Sequence, residues 1–181
     1  MMRVITGTAR GRKLETLPGD AVTRPTTESV KEALFSMIQF EIEDKKVLDL
    51  FAGSGQLGIE ALSRGARYCV FVENNKNAKN IVETNISNCG FNSVSQVVLS
   101  DALSYLSRKE NFDIVFLDPP YQNGLIPKCM ESLVSSLSDD GIIVCETSRE
   151  EKLPEKVGPF VVDRERNYGK TKVTLYRKEN E

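Results

Sequence analysis

Apolar positions along this chain fall into two alternating rhythms. Val30, Ala33, Leu34, Met37 and Ile38 recur at i, i+3, i+4, i+7 and i+8, one face of a helix. Arg24-Pro25-Thr26-Thr27 supplies start signals just before it. Lys46–Phe51 is then a short apolar run that ends in a glycine-rich turn, with a helix expected to start near Leu57. Beyond that turn, strand-like Tyr68–Glu73 is followed by a helical stripe through Ala78, Ile81, Val82, Ile86 and Cys89. Val94–Leu99 and Asp113–Asp118 read as strands, and Ile126, Cys129, Met130, Leu133, Val134 and Leu137 as another helical stripe. Gly141–Glu146 reads as a strand, and Val157–Asp163 with Lys172–Arg177 as a closing hairpin. Two short runs at 3–7 and 12–16 predict a further hairpin at the amino terminus.

Alternation of near-continuous apolar strands with amphipathic helices predicts an α/β domain around a mostly parallel sheet, with one antiparallel edge. In such sheets ligands bind beyond the carboxyl ends of the strands. The residues that end strands therefore matter most.

Composition narrows the class. At 181 residues and 40% apolar, the chain is long enough for one domain with a real core. No stretch approaches a membrane span, and Met1–Lys13 has no apolar segment of a secretory signal. Histidine is absent, which removes any mechanism built on an imidazole base or a His-ligated metal. Cys69, Cys89, Cys129 and Cys145 form no CxxC pair, so reduced thiols, a cytoplasmic location and no metal are expected. The net charge of −2 hides an asymmetry: residues 1–31 and 164–181 each carry six basic and three acidic residues. Basic ends around an acidic middle suit a polyanion if the ends meet in space; solvated chain ends are the alternative.

Three strand ends carry candidate chemistry. Asp49-Leu-Phe51-Ala52-Gly53-Ser54-Gly55-Gln-Leu-Gly58 satisfies G-x-G-x-x-G, a loop that lets a ligand approach the backbone. Glu73, 24 residues after Asp49, can take both hydroxyls of a ribose, though an isolated acid there could simply be solvated. Asp118-Pro119-Pro120-Tyr121 ends the most apolar strand. Its prolines remove two N–H donors, leaving an acid and carbonyls as acceptors beside a ring, a group suited to a planar amine. Asp49 separates two cofactor readings. It would repel a pyrophosphate but welcome a methionyl ammonium, which favours S-adenosylmethionine over NAD.

With Arg24–Phe35, Leu48–Gly65 and Tyr168–Lys172, these motifs resemble the RsmD family, bacterial 16S rRNA (guanine-N2)-methyltransferases, over essentially the whole chain. The resemblance implies a Rossmann-like class I methyltransferase fold: a mostly parallel seven-stranded sheet, an antiparallel C-terminal hairpin and a small N-terminal β-hairpin. Residues 1–24 would form an RNA-binding extension and 25–181 the methyltransferase domain. It implies that Asp49, Phe51, Ala52, Gly53, Ser54 and Gly55 line the methionine part of S-adenosylmethionine. Glu73, with Asn74 beside it, would hold the ribose, and Asp101 and Ala102 the adenine. Asp118, Pro119, Pro120 and Tyr121 would hold the target guanine; Asp118 stands where family members often have Asn. Arg3, Arg10, Arg12, Lys13, Arg24, Thr26, Lys170 and also Lys172 would contact RNA.

The implied partner is 16S rRNA within the small ribosomal subunit or its assembly intermediate, met by a monomer without a membrane or metal. The alternatives are an amino-methyltransferase for adenine N6 or a protein amide, an NAD oxidoreductase, and a non-catalytic RNA-binding protein.

Overall fold

The computed structural model describes residues 2–18, 27–120 and 124–179. Helix α1 (Glu28–Met37) is capped by Thr27, whose hydroxyl accepts the Val30 N–H. Then β1 (Lys46–Asp49), α2 (Gln56–Ser63), β2 (Tyr68–Glu73), α3 (Lys76–Cys89) and β3 (Ser95–Leu99) build the first half. The second half runs α4 (Ala102–Leu106), β4 (Phe112–Leu117), α5 (Leu125–Leu133), β5 (Leu137–Ser148), β6 (Lys156–Val157), β7 (Phe160–Tyr168) and β8 (Thr171–Lys178). Asn75 caps α3 by accepting two N–H groups, and Gly90 at φ +78° ends it.

The strands form one sheet in the order β3-β2-β1-β4-β5-β8-β7-β6. The first five are parallel and the last three antiparallel. The sheet thus has eight strands where seven are expected. The extra one arises because Gly158, at φ +55°, and Pro159 turn the expected Val157–Asp163 strand back on itself, pairing Val157 with Phe160. The five-residue α4 is also absent from the hydrophobic pattern, being too short to show a period.

Each face of the sheet carries a core. One holds α1, α2 and α3 through Leu34, Phe35, Leu57, Ile59 and Val82; the other holds α4 and α5 through Leu106, Cys129, Met130 and Leu133. Cys69, Cys129 and Cys145 are buried free thiols and Cys89 is half-buried. Among the described residues, no helix is long and apolar enough to cross a membrane.

The amino-terminal hairpin is reduced to one bridge, Arg3 with Lys13. Backbone hydrogen bonds of 2.8–2.9 Å still cross it, from the Val4 N–H to Arg12, from Gly11 to Val4 and from Leu14 to Met2. Glu60 on α2 accepts the N–H groups of Ile5 (2.9 Å) and Thr6 (3.0 Å). Ser63 accepts from Ala9 (3.0 Å) and donates to the Thr6 carbonyl (2.6 Å). Asn85 on α3 accepts the Glu15 N–H at 2.8 Å. Side chains of two helices thus take the N–H groups of Ile5, Thr6, Ala9 and Glu15 that the hairpin does not pair. The arm (residues 2–18) covers the outer face of α2, and all eight residues of that helix are buried.

Candidate active site

Asp49, Glu73 and Asp118 end or directly follow β1, β2 and β4, three neighbouring strands whose carboxyl ends point the same way. Backbone hydrogen bonds stitch the glycine loop across them. The Leu50 N–H donates to the Phe116 carbonyl (3.2 Å) and the Ala52 N–H to the Val72 carbonyl (3.0 Å). The Gly53 N–H donates to Glu73 Oε2 at 2.9 Å, and the Asn75 N–H to Oε1 at 2.9 Å. Glu73 is therefore fixed by one donor on each oxygen. Each oxygen keeps a lone pair for a further donor. Asn74 beside it is exposed.

Gly53 and Gly55 sit at φ +57° and +80°, where L side chains are strained. A Cβ on Gly53 would meet nothing within 4 Å, so this part of the loop faces open space. Gly58 does a different job: a Cβ there would lie 2.3 Å from the Phe71 ring and 2.7 Å from Cys69 Sγ. It allows α2 to approach β2 closely. Ser54 donates to Met2 Sδ (3.2 Å), which brings the start of the arm against the loop. Phe51 is half-buried and Ala52 buried.

Asp49 is 2% exposed and accepts the Gly58 N–H at 2.9 Å. Burial pushes its carboxyl up to about 7; the Gly58 bond opposes this and the Glu73 charge adds to it. A buried carboxyl of this kind favours a cation as its neighbour. Asp101 follows β3 and caps α4 by accepting the Ser104 N–H at 2.9 Å. Its bonds from Ser104 hold it below the usual carboxylate range. Ala102 is half-buried, and Leu99 and Leu103 nearby leave 49% and 39% of their surface exposed. Asp118 is half-buried, Pro119 buried and Pro120 exposed. Tyr121, Arg24 and Thr26 lie outside the described residues.

The expected RNA contacts divide. Arg3, Arg10, Arg12, Lys13 and Lys170 are exposed, with Arg3 paired to Glu28 at 3.0 Å. Lys170 sits in the β7–β8 turn, on the same sheet edge as Asp118, since Ser148 at the end of β5 pairs with Thr171. Lys172 departs from expectation. It is buried, donates to the Glu151 carbonyl and pairs with Glu165 at 3.7 Å, because its strand position turns it onto the α4–α5 side of the sheet. Lys31, counted among the basic residues of the amino end, is buried against Glu60 at 3.5 Å.

Several site-building residues escape sequence reading. Glu60, Ser63 and Asn85 lie on helices, where a polar residue reads as solvent-facing; only the arm makes them interior. Among the described residues no three His, Cys, Asp or Glu side chains cluster as a metal site would.

The family described as conserved hypothetical protein 95 matches residues 2–177. The ribosomal RNA small subunit methyltransferase D of Escherichia coli K12 is 36% identical over 98% of this chain and 90% of its own length. The Bacillus subtilis protein YlbH is 43% identical over 98% of this chain and 99% of its own. The solved structure of yhhF from Escherichia coli superposes with a TM-score of 0.89 at 33% identity, covering 99% of both chains. The chain thus belongs to the conserved hypothetical protein 95 family, and with it to the RsmD group of methyltransferases.

Proposed function

We propose that this chain transfers a methyl group from S-adenosylmethionine to the exocyclic N2 amine of a guanine in the 16S rRNA of the small ribosomal subunit. The observation that carries the reading is the lateral array of Asp49, Glu73 and Asp118 on three adjacent strands, with the glycine loop stitched between them.

The residues present fit the donor. Open space lies beside Gly53, Glu73 retains acceptor capacity for a ribose diol, and the buried Asp49 carboxyl suits a methionyl ammonium. Phe51, Ala52, Ser54 and Gly55 complete that wall, Asn74 adjoins the ribose, and Asp101 with Ala102 receives the adenine. When bound, S-adenosylmethionine supplies a methyl group activated by its sulfonium.

The chain's own part is to prepare the amine. Guanine N2 is a poor nucleophile because its lone pair is delocalised into the ring. Asp118 and the Pro119 carbonyl accept its two hydrogens, draw the nitrogen toward tetrahedral geometry and aim the lone pair at the methyl. Asp118 would stabilise the positive charge that develops on the amine as it takes the methyl group, and would hold the surplus proton until it passes to water. Pro119 and Pro120, with no N–H to offer, keep this rim an acceptor surface. Tyr121 stacks on the base. Lys170 stands at this edge, and the exposed Arg3, Arg10, Arg12 and Lys13, together with Arg24 and Thr26, are the other residues assigned to RNA phosphates. The enzyme acts in the cytoplasm as a monomer without a metal.

The test uses tritiated S-adenosylmethionine, small subunits from a strain lacking this gene, and wild-type protein beside Asp118→Ala. N2-methylguanosine at one rRNA position, lost in the variant, is the expected product by mass spectrometry. No label in rRNA despite tight cofactor binding would sink the substrate assignment.

A further inference from the structure

Asn85 lies on α3, fully buried, and every hydrogen bond its amide makes leaves its own helix. Its Oδ1 accepts the Glu15 N–H at 2.8 Å, and its Nδ2 donates to the Glu15 carbonyl at 3.0 Å, closing a two-point clasp on the arm. The same Nδ2 donates to the Ser54 carbonyl at 2.8 Å, between the two positive-φ glycines of the loop. One buried amide therefore holds the arm and the loop together. Ser54 meets the arm a second time through Met2. Asn85 itself is fully buried, so shifting the arm at Glu15 leaves its amide short of partners beside Ser54.

We propose that Asn85 is a positioning residue that couples the amino-terminal arm to the loop, so that seating of the arm and binding of S-adenosylmethionine favour one another. The inference rests on the reading of loop 50–55 as the cofactor loop. Linkage makes the effect reciprocal: whatever holds the arm down, RNA phosphates on Arg3 and Lys13 included, tightens the loop, and a filled loop firms the arm.

A thermodynamic cycle on the full-length chain tests this, with S-adenosylhomocysteine binding read by calorimetry. Asn85→Asp keeps the acceptor for the Glu15 N–H but loses both donations. Gly7→Ala unseats the arm at a distance, because a Cβ there would lie 1.7 Å from the Ser63 carbonyl oxygen. Each single change is expected to weaken binding about five- to twentyfold. The double variant is expected to bind no more weakly than Asn85→Asp, because the arm acts through that residue. A merely structural role would lower the binding-competent fraction and leave the dissociation constant of the folded molecules unchanged.

Unchanged affinity in Asn85→Asp, or losses that multiply in the double variant, would overturn the coupling. Should either variant fail to fold, hydrogen exchange on the wild type decides the matter. S-adenosylhomocysteine should protect the amides of Val4–Glu15 as well as those of the loop, and protection confined to the loop counts against the proposal. A wild-type chain that binds no S-adenosylhomocysteine at all would instead remove the cofactor reading beneath it.

Discussion

The Asp49 carboxylate accepts the backbone N–H of Gly58 at 2.9 Å, closing a nine-residue span of chain over a buried acid. That acid is the last residue of β1, so the loop turns around a group whose charge is costly where it stands. Burial raises the Asp49 carboxyl from 3.8 to about 7. Its contribution to stability is thus fully present below about pH 4 and is lost as pH rises through 7. Asn keeps an acceptor for Gly58 without the charge. Asp49→Asn is expected to be more stable than wild type by on the order of 3 kcal/mol at pH 8, with the gap vanishing at pH 4 in urea melts. The same variant should bind S-adenosylhomocysteine more weakly, and should lose the roughly tenfold tightening per pH unit expected of wild type as pH rises toward 7.

Gly53 and Gly58 should separate binding from folding. Gly58→Ala drives a methyl into the Phe71 ring and should cost about 1–3 kcal/mol, partly recovered by Phe71→Leu. Gly53→Ala meets no protein atom and should cost about 1–2 kcal/mol from its positive φ. It should fold yet lose cofactor affinity, because the added methyl occupies the open side of the loop. Paired thermal melts and calorimetric titrations check both.

Glu60 is shared by four donors: the Ile5 and Thr6 N–H groups, Lys31 and Arg64. Burial lowers the Lys31 pKa, while the neighbouring Glu60 charge raises it. Glu60→Gln leaves that lysine buried without its counter-ion and should cost about 3–5 kcal/mol. Hydrogen exchange should then rise first at Ile5 and Thr6. Exchange that rises uniformly across the sheet instead would show that Glu60 does not anchor the arm.

Two lysines that look alike in sequence should behave differently. Lys13→Ala should lower the slope of log affinity against log salt for rRNA by about 1, without changing the melting temperature. Lys172→Ala should leave that slope alone and destabilise the chain, because its ammonium serves Glu151 and Glu165 inside the sheet's flank. Filter binding at several salt concentrations distinguishes the two outcomes.

The site was legible where chemistry coincides with the end of an apolar run. Asp49, Glu73 and Asp118 interrupt or follow hydrophobic strands, so their position betrays them before any coordinates are known. Asp101 needed the family resemblance, since the short α4 behind it carries no period. Glu60, Ser63 and Asn85 were not legible. Each is a polar residue on an amphipathic helix, and only a segment more than 50 residues away decides that it faces protein. For the same reason a charge count misplaces Lys31 and Lys172, because it cannot register burial.

The docked arm also bears on how the chain is made. Residues 4–15 leave the ribosome ahead of their partners on α2 and α3, which follow 54 to 70 residues later. At ordinary synthesis rates that interval lasts about 3–14 s. Throughout it Val4, Ala9 and Leu14, all interior in the finished molecule, have no surface to bury against. The arm is therefore translated before α2 and α3 but placed after them. A nascent chain halted before Asn85 should display this arm to proteases, and one halted after α3 has fully emerged should not.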